Sequence, residues 1–266
     1  MWKTIVSDDR IDDICIDLRL VMIIVSRAIV LHNTAYNDSY SIAHLFSRES
    51  GRVSYLIPRS SKRGKSGGSL RLLISPLNEL EITAEHKQHR DLHFIKEAKL
   101  CSLRGRIQSD PVRNSIALFL AEFLYLILRL PEADTNLYDF VAFSIDKLEE
   151  MDGSMANFHL AFLFRLLVPL GLIPDLQFGG SVIPRWFDPA DGRFVPNAPA
   201  HGRGIPPHQS TYLQLFSRIT FDNMKAFRLS RAERRQVLDY LVDYYRFHLP
   251  PFPLLKTPDI LSTLFD

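Results

Sequence analysis

The sequence predicts an α+β protein: a small five-stranded β-barrel followed by an α-helical C-terminal domain. Two observations carry the prediction. Apolar residues follow a short, strand-like period from Val25 to about Leu100, and after Gly105 they switch to the longer period of helices. Charge changes sign at the same place. Residues 22–107 carry 14 Lys/Arg against 7 Asp/Glu, while residues 108–266 carry 15 against 18. A basic half joined to a slightly acidic half suggests a nucleic-acid-facing module and a second module with another task.

The strands come in order. "RAIVLHNT" and "YSIAHLF" lead to a turn at Glu49-Ser50-Gly51, and "RVSYLIP" then alternates Val53, Tyr55 and Ile57 against Arg52, Ser54 and Leu56. A basic loop follows, then "SLRLLIS", read as a strand, "NELEITAE" and "LHFIKEAKL". Five or so short strands with a long loop after the third suit a small barrel such as an OB-fold, over residues 22–105.

The helical domain occupies residues 106–266. Asp110 caps a helix with Pro111 at its first position, apolar almost all round and so expected at the centre of a bundle. Further helices are expected at 135–150, 154–168 and 208–227. The last opens on a capping box, Ser230 and Glu233, and stops at Pro250-Pro251. Residues 172–207 are rich in Gly and Pro and read as an irregular excursion with a hairpin near Asp191-Gly192. Residues 1–21, with five acids against three bases, read either as a start-site artefact outside the functional protein, whose deletion should leave folding and DNA binding intact, or as a genuine extra segment folded onto the barrel.

Composition narrows the function. Cys15 and Cys101 are too few for a thiolate zinc site. The early aspartates exclude a signal peptide, and the greasiest run, residues 115–130, is too short to span a bilayer and contains Glu122 and Arg129. A cytoplasmic protein without membrane contact is expected.

Between Ser50 and Asn78 there is no acid, while Arg52, Arg59, Lys62, Arg63, Lys65 and Arg71 are cationic. Cations gathered without counter-charge repel one another unless they are solvated or face phosphate, so the loop is either a solvated surface or a DNA-backbone contact. Gly64-Lys65-Ser66 ends like a P-loop, but Arg59 stands where its first glycine belongs and a strand is expected to follow, which argues against nucleotide binding. Tyr36, Tyr40 and Tyr55 either stack on bases or fill the barrel core. His86, His89 and His93 have the spacing of metal ligands on a helix, but here they flank a strand boundary and read as a polar connector. The acidic stretch from Glu132 to Asp152 reads as an exposed helix face. No catalytic arrangement is legible, so no enzyme activity and no cofactor are expected.

The stretch "AIVLHNTAYNDSYSIAHLFSRESGRVSYLIPR" resembles the opening of the bacterial recombination mediator family RecO. "LGLIPDLQ" and "DYYRFHLPPFPLLKTPDIL" resemble signatures of that family's helical domain, so the resemblance covers about residues 22–261. It implies an N-terminal OB-fold that binds and anneals DNA, contacts with RecR and with the single-stranded DNA-binding protein SSB, and help in loading RecA. An adaptor with no direct DNA role is the alternative. Many family members carry two Cys-x-x-Cys pairs in the excursion; this sequence has none there, so its fold must rest on Phe178, Trp186 and Phe187. The acidic, aromatic-ended SSB tail needs cations beside an apolar pocket. The resemblance thus directs attention to Arg218, Lys225, Arg228, Arg231, Arg234 and Arg235, next to Phe216, Phe221 and Phe227.

Overall fold

The computed structural model describes residues 21–59, 67–87, 90–177 and 185–258. The chain divides into two compact units: residues up to Ser102 with Pro131–Ala133, and Leu103–Leu130 with the chain from Asp134 onward.

The first unit is built from β1 (Val21–Ala35), β2 (Tyr40–Ser47), β3 (Gly51–Pro58), a short helix α1 (Gly67–Leu73), β4 (Glu79–Lys87) and β5 (Leu92–Leu100). The strands close into a barrel in the order β1-β2-β3-β5-β4. The long β1 makes closure possible: its first part, Val21 to Ile29, pairs antiparallel with β4, and its second, Ala28 to Ala35, with β2. A register shift between Val30 and His32 bends it from one partner to the other. The seam between β3 and β5 is parallel and short, limited to Ser54 with Leu92, Tyr55 with His93 and Leu56 with Phe94.

Strand alternation fills the interior with Ala28 and Val30, Ala43 and Leu45, Val53, Tyr55 and Ile57, and Leu80, Ile82 and Ala84. The segment "SLRLLIS" corrects the expected strand: it begins as helix α1. An apolar run this short fits either period, and burial decides between them. Leu70, Leu73 and Ile74, three and four residues apart, pack on the barrel core, while Leu72 is left 79% exposed. A strand would have put Leu70 and Leu72 on one face. Gly51, at φ +63°, turns β2 into β3, and a Cβ built on it would lie 2.3 Å from the Glu132 carbonyl oxygen, so only glycine fits.

The second unit contains α2 (Gly105–Ser109), α3 (Pro111–Ile127), α4 (Thr135–Glu150), α5 (Phe158–Leu166), a hairpin of β6 (Trp186–Asp188) and β7 (Arg193–Val195), α6 (Pro207–Phe216) and α7 (Arg231–His248). The caps lie where the sequence puts them. Asp110 accepts from the backbone of Val112 and Arg113, and the Ser230–Glu233 capping box is complete. Two helices are shorter than expected: the one expected at 154–168 starts at Phe158, and the one expected at 208–227 ends at Phe216, with only a 3-10 turn at Met224–Ala226 beyond it. The most enclosed helix is α5, buried at every position but Arg165, whereas α3 leaves Leu118 37% exposed.

The acidic stretch of α4 is more than a solvated face. Asp146 holds the buried guanidinium of Arg104 at 2.7 Å. Glu149 accepts from the backbone N–H groups of Arg106 and Ile107 at 2.9 and 2.8 Å, capping α2 from outside. Glu122 of α3 accepts from the N–H groups of Lys256 and Thr257, both at 2.9 Å, and so straps the post-α7 segment onto the bundle.

The cysteine-free excursion is tied by its own hydrogen bonds. Phe187 and Ile205 exchange backbone bonds of 2.9 Å in both directions. The Asp188 carboxylate accepts from Ala190 N–H at 2.9 Å and from His201 Nε2–H at 3.0 Å. Phe187 is buried and Trp186 half-buried, while Phe178 lies outside the described residues. Among the described residues no group of three or more His, Cys, Asp or Glu could hold a metal, and the excursion offers no thiolate. The residues present do not fit the zinc site for which the family resemblance prompts a search.

Candidate nucleic-acid interface

The barrel wall has two chemically different flanks. On the β4–β5 flank cations and anions alternate and neutralise one another: Lys96 bonds Glu85 at 3.0 Å and Lys99 bonds Glu81 at 2.7 Å. The Glu81 carboxylate accepts a hydrogen bond from the Lys99 ammonium and raises its pKa above the usual lysine value. The β1–β2–β3 flank is different. Strand alternation turns His32, His44, Arg52 and Ser54 away from the core, and the pairing sets them side by side, His32 across from His44 and His44 across from Ser54. The two imidazoles lie near-parallel at 6.3 Å, and His44 Nδ1 is hydrogen bonded to the Ser54 hydroxyl at 2.9 Å. Burial, then the positive charge of Arg52, then His32 hold the His44 pKa down to about 4. The ring is therefore neutral at ordinary pH, a flat π-surface beside a guanidinium.

Arg59 and Arg71 gather beyond the far end of β3. The Arg59 backbone N–H donates to the Ser39 carbonyl at 2.8 Å, and its guanidinium donates to the Asn37 carbonyl at 3.0 Å. Arg71, on α1, reaches the Arg59 carbonyl at 3.3 Å. These bonds go to neutral oxygens, so they fix the two cations at the β1–β2 turn without cancelling their charge. Arg52 sits roughly 20 Å away along the strand at about 3.3 Å per residue. The cationic set is thus a line along one flank rather than a single cluster. Lys62, Arg63 and Lys65 lie outside the described residues. A strand, β3, precedes Gly64-Lys65-Ser66 and the helix α1 follows it where a strand was expected, but Arg59 still occupies the glycine position and is engaged with residues 37–39.

The tyrosines separate. Tyr55 is a core residue, 1% exposed; Tyr36 is 58% exposed; Tyr40 meets Phe94 edge-on. His86 and His93 are not disposed as metal ligands: their rings stack in parallel at 4.1 Å, so their lone pairs do not converge, and His89 lies outside the described residues. His32, His44 and Ser54 were missed by sequence reasoning, although the alternation of "YSIAHLFS" and "GRVSYLIP" already set them opposite the core residues.

In the helical unit, a cleft of about 480 Å³ is lined by Lys225, Arg228 and Arg234 together with Ser154, Asn157 and Phe227. Half of the six cations singled out for a partner meet there; Arg218, Arg231 and Arg235 are not part of its lining. Phe216 and Phe221 are buried in the core, which corrects their expected role as an open ring pocket; only Phe227 reaches the cleft. Arg234 donates to the Leu229 carbonyl at 2.7 Å, and Lys225 is held by the Asp152 carbonyl. Asn157 spans the Met224 and Phe227 carbonyls at 3.0 and 2.7 Å, fixing the backbone that presents the cations. No sequence signal marks Asn157, because its partners are 67 and 70 residues away.

Together the two units define an α+β protein whose N-terminal barrel carries cations along one flank and whose helical C-terminal unit carries a separate cationic cleft. Among the described residues no helix is long and apolar enough to cross a membrane. A family model described as Recombination protein O N terminal matches residues 22–104, and one described as Recombination protein O C terminal matches residues 108–258. The chain belongs to this RecO family of DNA repair proteins. It is similar to DNA repair protein RecO of Porphyromonas gingivalis strain W83, 99% identical over 245 residues, covering 92% of this chain and 100% of that one. It is also similar to DNA repair protein RecO of Phocaeicola vulgatus, 38% identical over 238 residues, covering 90% and 97% of the two chains. The protein of that name from Flavobacterium psychrophilum is 27% identical over 246 residues, covering 92% and 100%.

Proposed function

We propose that the barrel is an OB-fold and that its β1–β2–β3 flank binds single-stranded DNA, and double-stranded DNA through the same backbone contacts. The observation that carries this reading is the contrast between flanks: Lys96 and Lys99 are neutralised by glutamates, while Arg59 and Arg71 are held by neutral carbonyls. A phosphate backbone is attracted to the second flank and not to the first. His32 and His44 offer rings on which bases can stack, and strands 2–3 with the adjoining loops are where OB-folds take oligonucleotides.

On this reading the protein is a non-catalytic recombination mediator. It anneals single strands and, with RecR, helps load RecA on DNA coated by SSB, acting at the nucleoid and needing no cofactor. The cleft of Lys225, Arg228 and Arg234 is assigned to the acidic tail of SSB, with Phe227 as the apolar wall. A salt titration of binding to a single-stranded oligonucleotide tests the DNA assignment: affinity must fall steeply and linearly on a log–log plot. The cleft also supports an adaptor reading in which only proteins are bound, and salt-insensitive or absent oligonucleotide binding would favour it. Nucleotide turnover by the pure protein would overturn the non-catalytic assignment.

A further inference from the structure

The barrel closes at its shortest seam, the parallel pairing of β3 and β5 at Ser54–Leu92, Tyr55–His93 and Leu56–Phe94. Behind the middle pair, inside the wall, sits a small polar cluster. The Tyr55 hydroxyl is hydrogen bonded to His86 Nε2 at 2.9 Å, joining β3 to β4. His86 stacks on His93 at 4.1 Å and 8°. His93 Nδ1 accepts the Lys87 backbone N–H at 3.3 Å, joining β5 to β4. Three strands therefore meet through one phenol and two imidazoles.

The arrangement requires neutral rings. His93 Nδ1 can accept only while it carries no proton, and two imidazolium cations at stacking distance repel. We propose that the His86–His93 stack is a proton-sensitive latch on the closing seam, shut while both rings are neutral and released when they are protonated. Among the described residues the charged and titratable groups around it are Tyr55 from β3, Glu85 and Lys87 from β4, Asp91 and Arg90 before β5, and Lys96, which is bound to Glu85; the described part of β1 places Val21 and Met22 opposite Lys87 and His86.

Burial, then His93, lowers the His86 pKa to about 4. Burial lowers that of His93, against a smaller opposing pull from Asp91. The sign follows. In the open seam the rings return to an ordinary pKa of about 6.5, so closure is favoured above that value and lost as pH falls toward the lower one. Allowing for solvent screening of half-buried groups, the opening constant should rise on the order of tenfold between about pH 7.5 and about pH 5. Because β3 also carries Arg52 and Ser54, opening would disturb the flank assigned above to DNA, a consequence that rests on that assignment; the latch itself does not.

The test is amide hydrogen exchange of the full chain without DNA, across this pH range and corrected for intrinsic rates. Seam amides of β3 and β5 should lose protection relative to amides of the β1–β4 pairing. The double variant His86→Phe/His93→Phe, which keeps stacked rings without protons to gain, should abolish the difference. Equal pH dependence at both seams, or its persistence in the double variant, overturns the latch. Should that variant not fold, ring titration of the wild-type protein by NMR decides: midpoints of both rings at the ordinary histidine value overturn the proposal, and depressed midpoints support it.

Discussion

Replacing Arg59, Lys62, Arg63 and Lys65 by alanine removes four cations from the sequence between β3 and α1, and none of the four is among the residues that fill the barrel core. Each cation that no longer neutralises a phosphate of a single strand should flatten the dependence of log affinity on log salt by about 0.7, so removing all four should flatten it by close to three. Arg59 counts in full even though its guanidinium donates to the Asn37 carbonyl, because a neutral acceptor leaves the charge in place. Raising salt from ~50 to ~200 mM should then cost the variant about 50-fold less affinity than it costs the parent. The weakening should be alike for all sequences, since phosphates carry no base information. Fluorescence anisotropy with an oligothymidine and a mixed-sequence strand, over a salt series, measures it. Lys96→Ala/Lys99→Ala is the control: those cations already face glutamates, so the slope should barely change. An unchanged slope in the loop variant, or an equal change in the control, would refute the division of the barrel into two flanks.

Other expectations rest on single side chains. Gly51→Ala forces a Cβ against the Glu132 backbone and a non-glycine residue into the left-handed region, which together should cost about 2–5 kcal/mol in denaturant unfolding of the barrel unit. Glu122→Ala removes the acceptor for Lys256 and Thr257 and should cost about 2–3 kcal/mol, with Glu122→Gln intermediate; equal stability of all three proteins would mean the strap contributes nothing. Charge reversal at Arg228, inside the cleft, should abolish binding of an acidic carboxylate-ended peptide and spare naked single-strand binding. Reversal at Arg231, outside the lining, should weaken the peptide far less, and joint loss of peptide and DNA would show one surface serving both. A chelator should leave the melting temperature unchanged and metal analysis should find no stoichiometric zinc, because the excursion is tied by Asp188, His201 and the Phe187–Ile205 pair.

Whatever is encoded within a few residues could be read directly along the chain. Asp110 before Pro111 and Ser230 before Glu233 start helices because a cap satisfies N–H groups two or three residues away. The alternation of Val53, Tyr55 and Ile57 marked a half-buried strand, the chain-long change of period separated barrel from helices, and the acid-free run from Ser50 to Asn78 contained the cations Arg52, Arg59 and Arg71. Tertiary packing chose between states that are locally equivalent. Leu70 to Ile74 fits a strand or a helix until a barrel core lies beneath it. Lys96 and Lys99 look as available as Arg59 until register sets them against Glu85 and Glu81. The cleft exists because Asn157 meets carbonyls far along the chain, and the seam holds because Tyr55, His86 and His93 arrive together from three strands. Period and capping are local and survive in one dimension; burial, charge neutralisation and ring stacking depend on partners that only folding brings within reach.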